Sequence, residues 1–564
     1  MAGRKGSTIE QQEMETDVLV IGGGLAGCFA AIKAREAGAR VVLFDKAAIR
    51  RSGNAGHGMD HLPAIAYPGL TMDPEELGRR AVEGMEGLVD PRLTYVIAEE
   101  GLHRALDLND YGVHIFHKGN NFLYVPSRYE LGQGKEKKWS MIFISGGDMK
   151  IKLAGRVRKL GVKVVERTVG SKLLTHEGRV VGAIGVNIRT GEFIVCKAKA
   201  VVISTGSAHR LYWQPEGLMA NYYCPTNCGD GHAIAYRADV RLTGMEFVQP
   251  QTHTRDYPAG PRPHGFFAVL VNDKGENIQR KWEPLGNMLA AHNMAAFEEY
   301  DAGRIPYWST DKISGPARDM WAIGMANEHP MSLKFTRPEG GTQIKEAREA
   351  RTRIFGLYRS MSGPIVDDHM QTSLRGLFGG GDTINSSGLG GCTNAFVTGA
   401  RAGHFAAEYA AAADAPQIDP EQVKSEKERV FAYYGREKGI KPIELEETIR
   451  RVVHDYVGIR KSGPKLERGL HVLAQVMDYF EPQLSVTNPH ELMRYLELEN
   501  IALMAKVLFK ASLFREETRW IPSHWRIDFP QQDDANWRKA VIVQQEGDEM
   551  VLTAESPDRW MRRA

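Results

Sequence analysis

The stretch DVLVIGGGLAGCFAA, residues 17–31, decides the fold of this 564-residue chain. Its apolar beginning, residues 17–21, predicts a buried strand, and the alanine-rich residues 28–37 predict a helix. Between them stands a GxGxxG turn, and the succession of strand, turn and helix is the context in which this motif binds a dinucleotide. The stretch therefore predicts a Rossmann-type βαβ unit.

Each position of the glycine turn has its own task. Gly22 permits the tight turn, Gly24 lets the backbone approach a diphosphate, and Gly27 lets the helix pack closely on the strand. Leu25 and Ala26 begin the helix, whose first N–H groups and positive dipole end would face the phosphates. These five residues are candidate cofactor ligands.

A second strand, predicted over residues 40–44, ends in Asp45. This acid lies about 20 residues beyond the glycines, where a carboxylate binds a ribose 2′-hydroxyl, so FAD or NAD is favoured over NADP. Residues 46–58 continue as a glycine-containing loop rather than as the next strand of an NAD domain, and strand-to-turn patterns return at residues 201–206 and 376–382. Such late returns favour FAD, because its flavin must be held far from its adenine.

Several longer stretches resemble the flavoprotein subunits of the succinate dehydrogenase and fumarate reductase family, which also includes L-aspartate oxidase and the alpha subunit of dissimilatory adenylylsulfate reductase. The resemblance runs from about residue 17 to residue 537 and is carried by DVLVIGGGLAGCFAA, DKAAIRRSG, AVVISTGS, GDGHAIAYRADVRLTGMEFVQ, SLRGLFGGGD and LFREETRW. The segments RRSGNAGHG, WSMIFISGGDMK and HELMRYLEL make the adenylylsulfate reductase branch look nearest. The resemblance implies an FAD-dependent oxidoreductase.

The resemblance also implies an α/β fold and a division of the chain. We expect a Rossmann-like FAD-binding domain at residues 16–254 and 356–415, an inserted α+β capping domain at 255–355, and a helical C-terminal domain with a tail at 421–564. Glu-Gly and Thr-Gly pairs predict hairpin turns in a small antiparallel meander over residues 162–205. Helices are expected at residues 394–413, 443–457, 466–480 and 490–514, and a charged helical stretch around 344–353.

Composition excludes several classes of partner. The 72 basic and 70 acidic residues give a net charge of +2, so neither a nucleic-acid footprint nor a polybasic membrane surface is expected. No apolar run is long enough to span a bilayer and residues 1–15 are polar, so we expect a cytoplasmic location. The five cysteines are scattered and complete no zinc or iron–sulfur spacing, so no resident metal is expected.

The remaining candidate cofactor ligands follow from motif position and from the resemblance. Membrane-bound family members attach FAD to a histidine after an Arg-Ser pair, whereas here Gly53 follows Arg51-Ser52, so FAD is expected to be non-covalent. The candidates lie in the loop after the second strand and in the later FAD segments: Lys46, Ser52, Gly53, Asn54, Gly58, Thr205, Gly206, Asp230, Gly381, Asp382, Leu389 and Gly390.

The resemblance implies fixed cations beside the flavin, because charge that develops on a substrate must be met in a closed site. Arg318 is the candidate for a proton-delivering arginine, and Arg359 is a candidate anion clamp. His57 is a candidate proton donor or anion ligand, and the alternative is a loop histidine with structural hydrogen bonds only. Gln251 falls where the family has a histidine, and His253, two residues further on, is the candidate replacement.

Two functional interpretations stay open. The chain is either an enzyme that exchanges electrons between flavin and a small anionic substrate, with a ferredoxin-like iron–sulfur partner, or an electron relay in a larger complex without a substrate of its own. Within the enzyme interpretation, Gly388 replaces an arginine expected of a fumarate reductase, and Gly147 replaces an acid expected of an adenylylsulfate reductase alpha subunit. The substrate is therefore not assigned from the sequence.

Overall fold

The computed structural model describes residues 9–67, 69, 71–126, 138–214, 223–255, 269–285, 288–309, 327 and 348–556. The described α-helices are α1 (Leu25–Glu36), α2 (Pro74–Gly84), α3 (Pro91–Asp110), α4 (Met149–Lys159), α5 (Asp230–Tyr236), α6 (Met288–Asp301), α7 (Cys392–Ala412), α8 (Pro420–Val430), α9 (Pro442–Val452), α10 (Gly463–Phe480), α11 (Pro489–Phe514) and α12 (Asp534–Trp537). The described strands are β1 (Gln11–Ile21), β2 (Val41–Asp45), β3 (His61–Pro63), β4 (His117–Lys118), β5 (Asn121–Phe122), β6 (Tyr124–Pro126), β7 (Lys138–Phe143), β8 (Lys163–Glu166), β9 (Thr168–His176), β10 (Arg179–Asn187), β11 (Phe193–Ile203), β12 (Leu242–Thr243), β13 (Val248–Thr254), β14 (Val269–Val271), β15 (Tyr307–Ser309), β16 (Arg348–Leu357), β17 (Gly363–Pro364), β18 (Leu377–Gly379), β19 (Arg460–Lys461), β20 (Trp525–Arg526), β21 (Ala540–Glu546) and β22 (Glu549–Glu555).

The main sheet has the strand order β8-β2-β1-β11-β10-β9, and β18 also pairs with β11. Strands β8, β2, β1, β11 and β18 run parallel to one another, and Val18 of β1 pairs with Val41 of β2 and with Ala200 of β11. The paired apolar residues are buried, as in parallel sheets whose two faces are both covered. The carboxyl ends of β1, β11 and β18 therefore meet at one edge, which is where such sheets bind their ligands.

Close approach of two helices covers one face of this sheet. A Cβ atom on Gly399 would lie 2.3 Å from the Ala26 carbonyl oxygen, and one on Gly403 would lie 2.1 Å from the Ala30 carbonyl oxygen. Two glycines one turn apart on α7 thus let this helix lie directly on α1. The contact fixes α7 beside the glycine turn.

The first strand, helix and second strand are found where the sequence predicts them, except that β1 begins already at Gln11. The meander is antiparallel over β9, β10 and β11, with turns at Gly178 and Gly191 that have φ values of +70° and +78°. Strand β8 differs from that expectation, because it pairs in parallel with β2 and belongs to the Rossmann sheet.

A second sheet has the order β13-β16-β15-β14. The predicted helical stretch around residues 344–353 is wrong for residues 348–353, which belong to β16: residues 350–353 pair antiparallel with β13, and residues 348–349 pair antiparallel with β15. Residues 344–347 lie outside the described part. Ala350 and Arg353 are buried in this pairing, and the partner strand outweighs the helical preference of a charged segment.

The helices predicted after residue 421 are present. Helix α9 continues into a π-helical turn at Val453–Val457, and α10 and α11 end at the predicted Phe480 and Phe514. The tail returns to the body of the protein, where Trp520 packs 4.4 Å from Phe247 and Trp537 packs 5.8 Å from Phe514, as ring centroids. Within the described ranges, no helix has both the length and the apolar character that a bilayer crossing requires.

Candidate cofactor and substrate site

The glycine turn after β1 has the geometry of a diphosphate cradle. Gly22 has a φ of +103°, and a Cβ there would lie 2.5 Å from the Ser204 carbonyl oxygen. A Cβ on Gly27 would lie 1.8 Å from the Gly22 carbonyl oxygen. The fold itself therefore requires glycine at both positions.

Gly24 is different, because no described residue requires it to be glycine. Its φ of −64° and ψ of −163° suit other residues, and an added Cβ would meet no heavy atom of the described part of the chain within 4 Å. It is the N-cap of α1 and provides no side-chain hydrogen bond, so the first N–H groups of this helix face an open space. This is a cradle that a Cβ would partly fill, and it fits a bound diphosphate.

One cleft continues from this turn along the carboxyl edge of the main sheet, with a cavity volume of about 240 Å³. Most of the predicted ligands line it: Gly22, Gly24, Leu25, Ala26, Asp45, Lys46, Ser52, Gly53, Asn54, Thr205, Gly206, Asp230, Gly381 and Asp382. His57 and Arg359 line it as well. The structure thus brings together residues that are more than 300 positions apart.

Four predicted ligands lie near the cleft without belonging to its described lining. Gly27 is packed beneath the turn, and Gly58 lies against Gly147 and the Asn327 carbonyl oxygen. Leu389 packs on a small apolar cluster that includes Ala64. A Cβ on Gly390 would lie 3.8 Å from Nε of Arg359. These residues shape the walls.

Asp45 is held in place by the backbone. It is 3% exposed, and its two carboxylate oxygens accept hydrogen bonds from N–H of Gly23 (2.8 Å) and N–H of Ala47 (2.7 Å). Each oxygen has a second lone pair. The carboxylate is therefore oriented before any ribose binds.

Lys46 and Asp230 belong to a buried charge network under the cleft. The Lys46 ammonium donates to Asp230 (2.7 Å) and to Glu497 of α11 (2.8 Å), and Arg210 also donates to Glu497 (2.5 Å). Burial alone would raise the pKa of Glu497, but Arg210 and Lys46 outweigh it and lower this pKa to about 2. The network ties the C-terminal helices to the cofactor edge.

The later segments are joined to the first one by side-chain hydrogen bonds. The side-chain amide of Asn54 donates to Asp382 (3.4 Å). Its Oδ1 accepts hydrogen bonds from the backbone N–H of Cys224 and from the side-chain amide of Asn227 (both 3.0 Å). Ser52 donates to the Gly23 carbonyl oxygen (3.1 Å). These bonds hold the predicted loop after β2 against the turn.

Lys150 was not among the predicted ligands. It is 1% exposed, and its ammonium donates to the Gly23 carbonyl oxygen and to Sγ of Cys28 (3.2 Å). Among the described residues, no carboxylate forms an ion pair with it. A buried cation needs a compensating charge, and this one lies directly behind the turn that would hold a diphosphate. Only its place in the segment WSMIFISGGDMK could have drawn attention to it.

The other end of the cleft holds the predicted substrate residues. Arg359 and His57 line it, together with Tyr223 and His61, whose ring bonds to Asp60. His253 is fully buried on β13 beside the cleft and bonds through Nε2 to Oε1 of Gln251 (3.1 Å). Arg318 lies outside the described residues.

His209 adds an aromatic group rather than a cation to this end. Its ring stacks on Tyr223 with centroids 4.0 Å apart. Burial, together with Arg359 and His232, lowers the pKa of His209 to about 3, so its imidazole is neutral near pH 7. Neither His209 nor Tyr223 carried a motif that sequence reasoning could have used.

Comparison with known proteins agrees with this geometry. Residues 17–292 match the family model described as FAD binding domain, and residues 446–558 match the model described as fumarate reductase flavoprotein C-term. A fumarate reductase (CoM/CoB) subunit of Methanothermobacter marburgensis is 26% identical, over 95% of this chain and 98% of that protein. The L-aspartate oxidase of Mycobacterium leprae is 27% identical, over 93% and 95%.

Solved structures share the fold. Adenylylsulfate reductase from Archaeoglobus fulgidus superposes with a TM-score of 0.83 at 21% identity, covering 97% of this chain and 96% of that chain. FrdA of the E. coli quinol fumarate reductase superposes with a TM-score of 0.79 at 20% identity, covering 97% of each chain. Both comparisons extend over almost the whole length of each chain.

Proposed function

This chain belongs to the flavoprotein family of succinate dehydrogenase and fumarate reductase, and we propose that it exchanges electrons between FAD and a small anionic substrate, with a separate iron–sulfur protein as electron partner. It is an FAD-dependent oxidoreductase. The observation that carries the proposal is the continuity of the cleft, which joins the diphosphate turn at Gly24 to Arg359 and Tyr223.

The residues along the cleft divide the work of holding FAD. The turn around Gly24 and the first N–H groups of α1 would receive the diphosphate, and the fixed carboxylate of Asp45 would accept from the ribose. Asn54, Thr205 and Asp382 also line the cleft and would contact the bound cofactor. Bound FAD supplies a flavin ring that accepts or gives a hydride.

We propose that FAD is held without a covalent bond. The residue after Arg51-Ser52 is Gly53, which has no side chain that could carry a covalent link. Its φ is +80°, and a Cβ at this position would lie 3.2 Å from the Cα of Gly24. Denaturation should then release all of the flavin into solution. Yellow colour or flavin fluorescence that migrates with the unfolded chain on a denaturing gel would contradict this.

The charge at the far end of the cleft supports an anionic substrate. Arg359 is a cation in the lining, and a guanidinium there binds carboxylate or sulfur oxyanions in a bidentate manner. Arg318 stays a candidate for the proton-delivering residue by resemblance alone. His57 and His253 stay candidates too, His57 in the lining and His253 behind it.

The proposed iron–sulfur partner follows from the family and from the cysteines. The five cysteines of the sequence have no cluster spacing, so electrons that do not stay on the flavin must come from, or pass to, another molecule. The second candidate function is that of an adenylylsulfate reductase alpha subunit proper. The similarity of the fold to that of a solved adenylylsulfate reductase favours it.

The experiment is a substrate screen on the flavin. The holoprotein is reduced photochemically under argon, and reoxidation of the flavin is followed by visible absorbance after addition of dicarboxylates, 2-oxo acids, sulfonates or sulfur nucleotides. Rapid reoxidation by one class identifies the substrate class. Failure of every acid, combined with rapid reoxidation by a ferredoxin or an artificial electron carrier, would replace the proposal with the relay function.

A further inference from the structure

Lys150 brings a positive charge into the core behind the glycine turn. The residue is 1% exposed and stands in the first turn of α4, where the helix dipole has its positive end. Asp148, the acid nearest to it in the sequence, is exposed and forms an ion pair with Lys152 at 2.9 Å. Within the described part of the chain, the Lys150 ammonium bonds to no carboxylate. A buried charge of this kind is costly unless an anion compensates it.

The Cys28 thiol contacts this ammonium but does not neutralise it. Nζ of Lys150 donates to Sγ of Cys28 at 3.2 Å. Burial raises the pKa of the Cys28 thiol above its ordinary value, so the group is uncharged near pH 7. As a thiol it donates in turn to the Gly23 carbonyl oxygen at 3.4 Å. The charge of Lys150 therefore acts on the turn both directly and through Cys28.

The Gly23 carbonyl oxygen is the point at which these groups converge. It accepts from the Lys150 ammonium, from the Cys28 thiol and, at 3.1 Å, from the Ser52 hydroxyl. Hydrogen bonds from a cation and from a chain of donors polarise the acceptor. The C=O of Gly23 and the N–H of Gly24 belong to one peptide group, and the resonance of that group couples them. Polarisation of the carbonyl thus makes the Gly24 N–H a stronger donor.

The orientation of this peptide group directs the Gly24 N–H away from Lys150. The bond between Gly23 and Gly24 is trans, so its C=O and N–H point in opposite directions. Because the C=O points at Lys150 in the core, the N–H points to the other side of the turn, where Gly24 lines the cleft. The preceding N–H, that of Gly23, is bonded to Asp45 at 2.8 Å. The turn therefore uses one amide for its own acid and directs the next, with a cation behind it, to the cleft.

We propose that Lys150 is the counter-charge of the FAD diphosphate and acts through the Gly23–Gly24 peptide as a positioning residue. It stands behind the turn and is not part of the described lining of the cleft, so it acts without touching the phosphates. This inference rests on the placement of FAD in the proposed function and adds a residue to it. A diphosphate supplies the negative charge that Lys150 needs, whereas the uncharged adenine and ribose do not.

The test uses ADP and adenosine, two fragments of FAD that differ only in the diphosphate. Flavin is removed from the protein, and equilibrium dialysis of the apoprotein with each labelled fragment gives its dissociation constant. Lys150→Met should weaken the binding of ADP by about tenfold or more, because it removes a unit charge that faces the diphosphate across one peptide group. The same change should leave adenosine affinity within about twofold of wild type. The control Lys152→Met, in the same helix, should change neither affinity.

The outcomes separate this inference from the proposed function. If the wild-type apoprotein binds ADP and Lys150→Met binds it with the same affinity, the inference about Lys150 fails while the FAD site stands. If Lys150→Met loses affinity for ADP and for adenosine by the same factor, the lysine supports the shape of the site rather than the diphosphate, and the inference fails as well. If the wild-type apoprotein binds neither ADP nor FAD, the proposed cofactor site itself fails.

A second variant, Lys150→Gln, covers the case in which Lys150→Met does not fold. The glutamine amide can still donate a hydrogen bond to the Gly23 carbonyl oxygen, but it carries no charge. ADP affinity should again fall by about tenfold or more, and adenosine affinity should stay within about twofold of wild type. A folded Lys150→Gln protein that binds ADP as tightly as the wild type would overturn the inference.

Discussion

Replacing Gly24 by alanine should separate the fold from cofactor binding. The added methyl group would meet no atom of the residues that the structure describes within 4 Å, and the backbone angles of φ −64° and ψ −163° are open to alanine. A glycine replaced by alanine at a compatible position commonly stabilises a protein by about 0.4 to 1 kcal/mol, because the unfolded chain loses freedom. The apoprotein should therefore be at least as stable as wild type.

The methyl group would nevertheless stand in the space in front of the first N–H groups of α1. A diphosphate displaced from these amides loses hydrogen bonds to a charged group, each of which contributes about 1.5 to 3 kcal/mol. Loss of one such bond weakens FAD binding by about 10- to 150-fold. The assay is quenching of flavin fluorescence on titration of apoprotein, paired with urea unfolding followed by circular dichroism.

Gly22→Ala and Gly27→Ala are the matched controls. An added Cβ would lie 2.5 Å from the Ser204 carbonyl oxygen in the first and 1.8 Å from the Gly22 carbonyl oxygen in the second, so both should unfold at lower urea even without FAD. A stable Gly24→Ala protein with wild-type FAD affinity would refute the placement of the diphosphate. Destabilised Gly24→Ala apoprotein would refute the open space at this residue.

Three further outcomes are expected. Lys150→Met should weaken FAD binding by about tenfold or more, because it removes the buried cation behind the turn. The control Lys152→Met, at a partly exposed position two residues further along the same helix, should not weaken it. Equal FAD affinities of the two variants, measured by flavin fluorescence, would exclude an electrostatic role of Lys150. Arg359→Met should leave FAD bound but weaken the binding of malonate or sulfate by about 10- to 100-fold, measured from the shift of the flavin absorbance bands on titration with the anion. Unchanged anion affinity would remove Arg359 from the site. The pKa of Glu497 is lowered from 4.5 to about 2, so the contribution of this carboxylate to stability is complete above pH 4.5 and is lost as the pH falls towards 2. The urea concentration at the midpoint of unfolding should therefore decrease as the pH is lowered through this range. A midpoint that does not change with pH would contradict the network with Arg210.

The parts of this molecule that the sequence predicted are those with a local cause. The turn around Gly22 and the acid at Asp45 are separated by few residues, and each glycine answers to a short-range steric requirement. Helices α10 and α11 follow from the spacing of their apolar residues, which is also local. Such features depend little on what the rest of the chain does.

The features that were missed depend on distant partners. The composition of residues 348–353 is typical of a charged helix. In the structure these residues form backbone hydrogen bonds with β13 and β15, and this pairing decides their conformation. Lys150 contacts the glycine turn only because α4 places it behind Gly23, which lies 127 residues earlier in the chain. Neither partner can be inferred from the segment itself.

The substrate end shows how a substitution that looks like a loss can be an exchange. Read from the sequence, Gln251 in place of a histidine removes a cationic donor from the cleft. In the structure its amide donates to the Tyr223 hydroxyl at 2.6 Å, and its side-chain carbonyl oxygen bonds to Nε2 of His253 at 3.1 Å. Gln251 therefore links the Tyr223 phenol to His253 through a neutral amide rather than through a cationic group. Because an amide does not titrate near pH 7 as a histidine does, anion affinity at this end of the cleft, measured across neutral pH, should vary less in the wild type than in a Gln251→His variant.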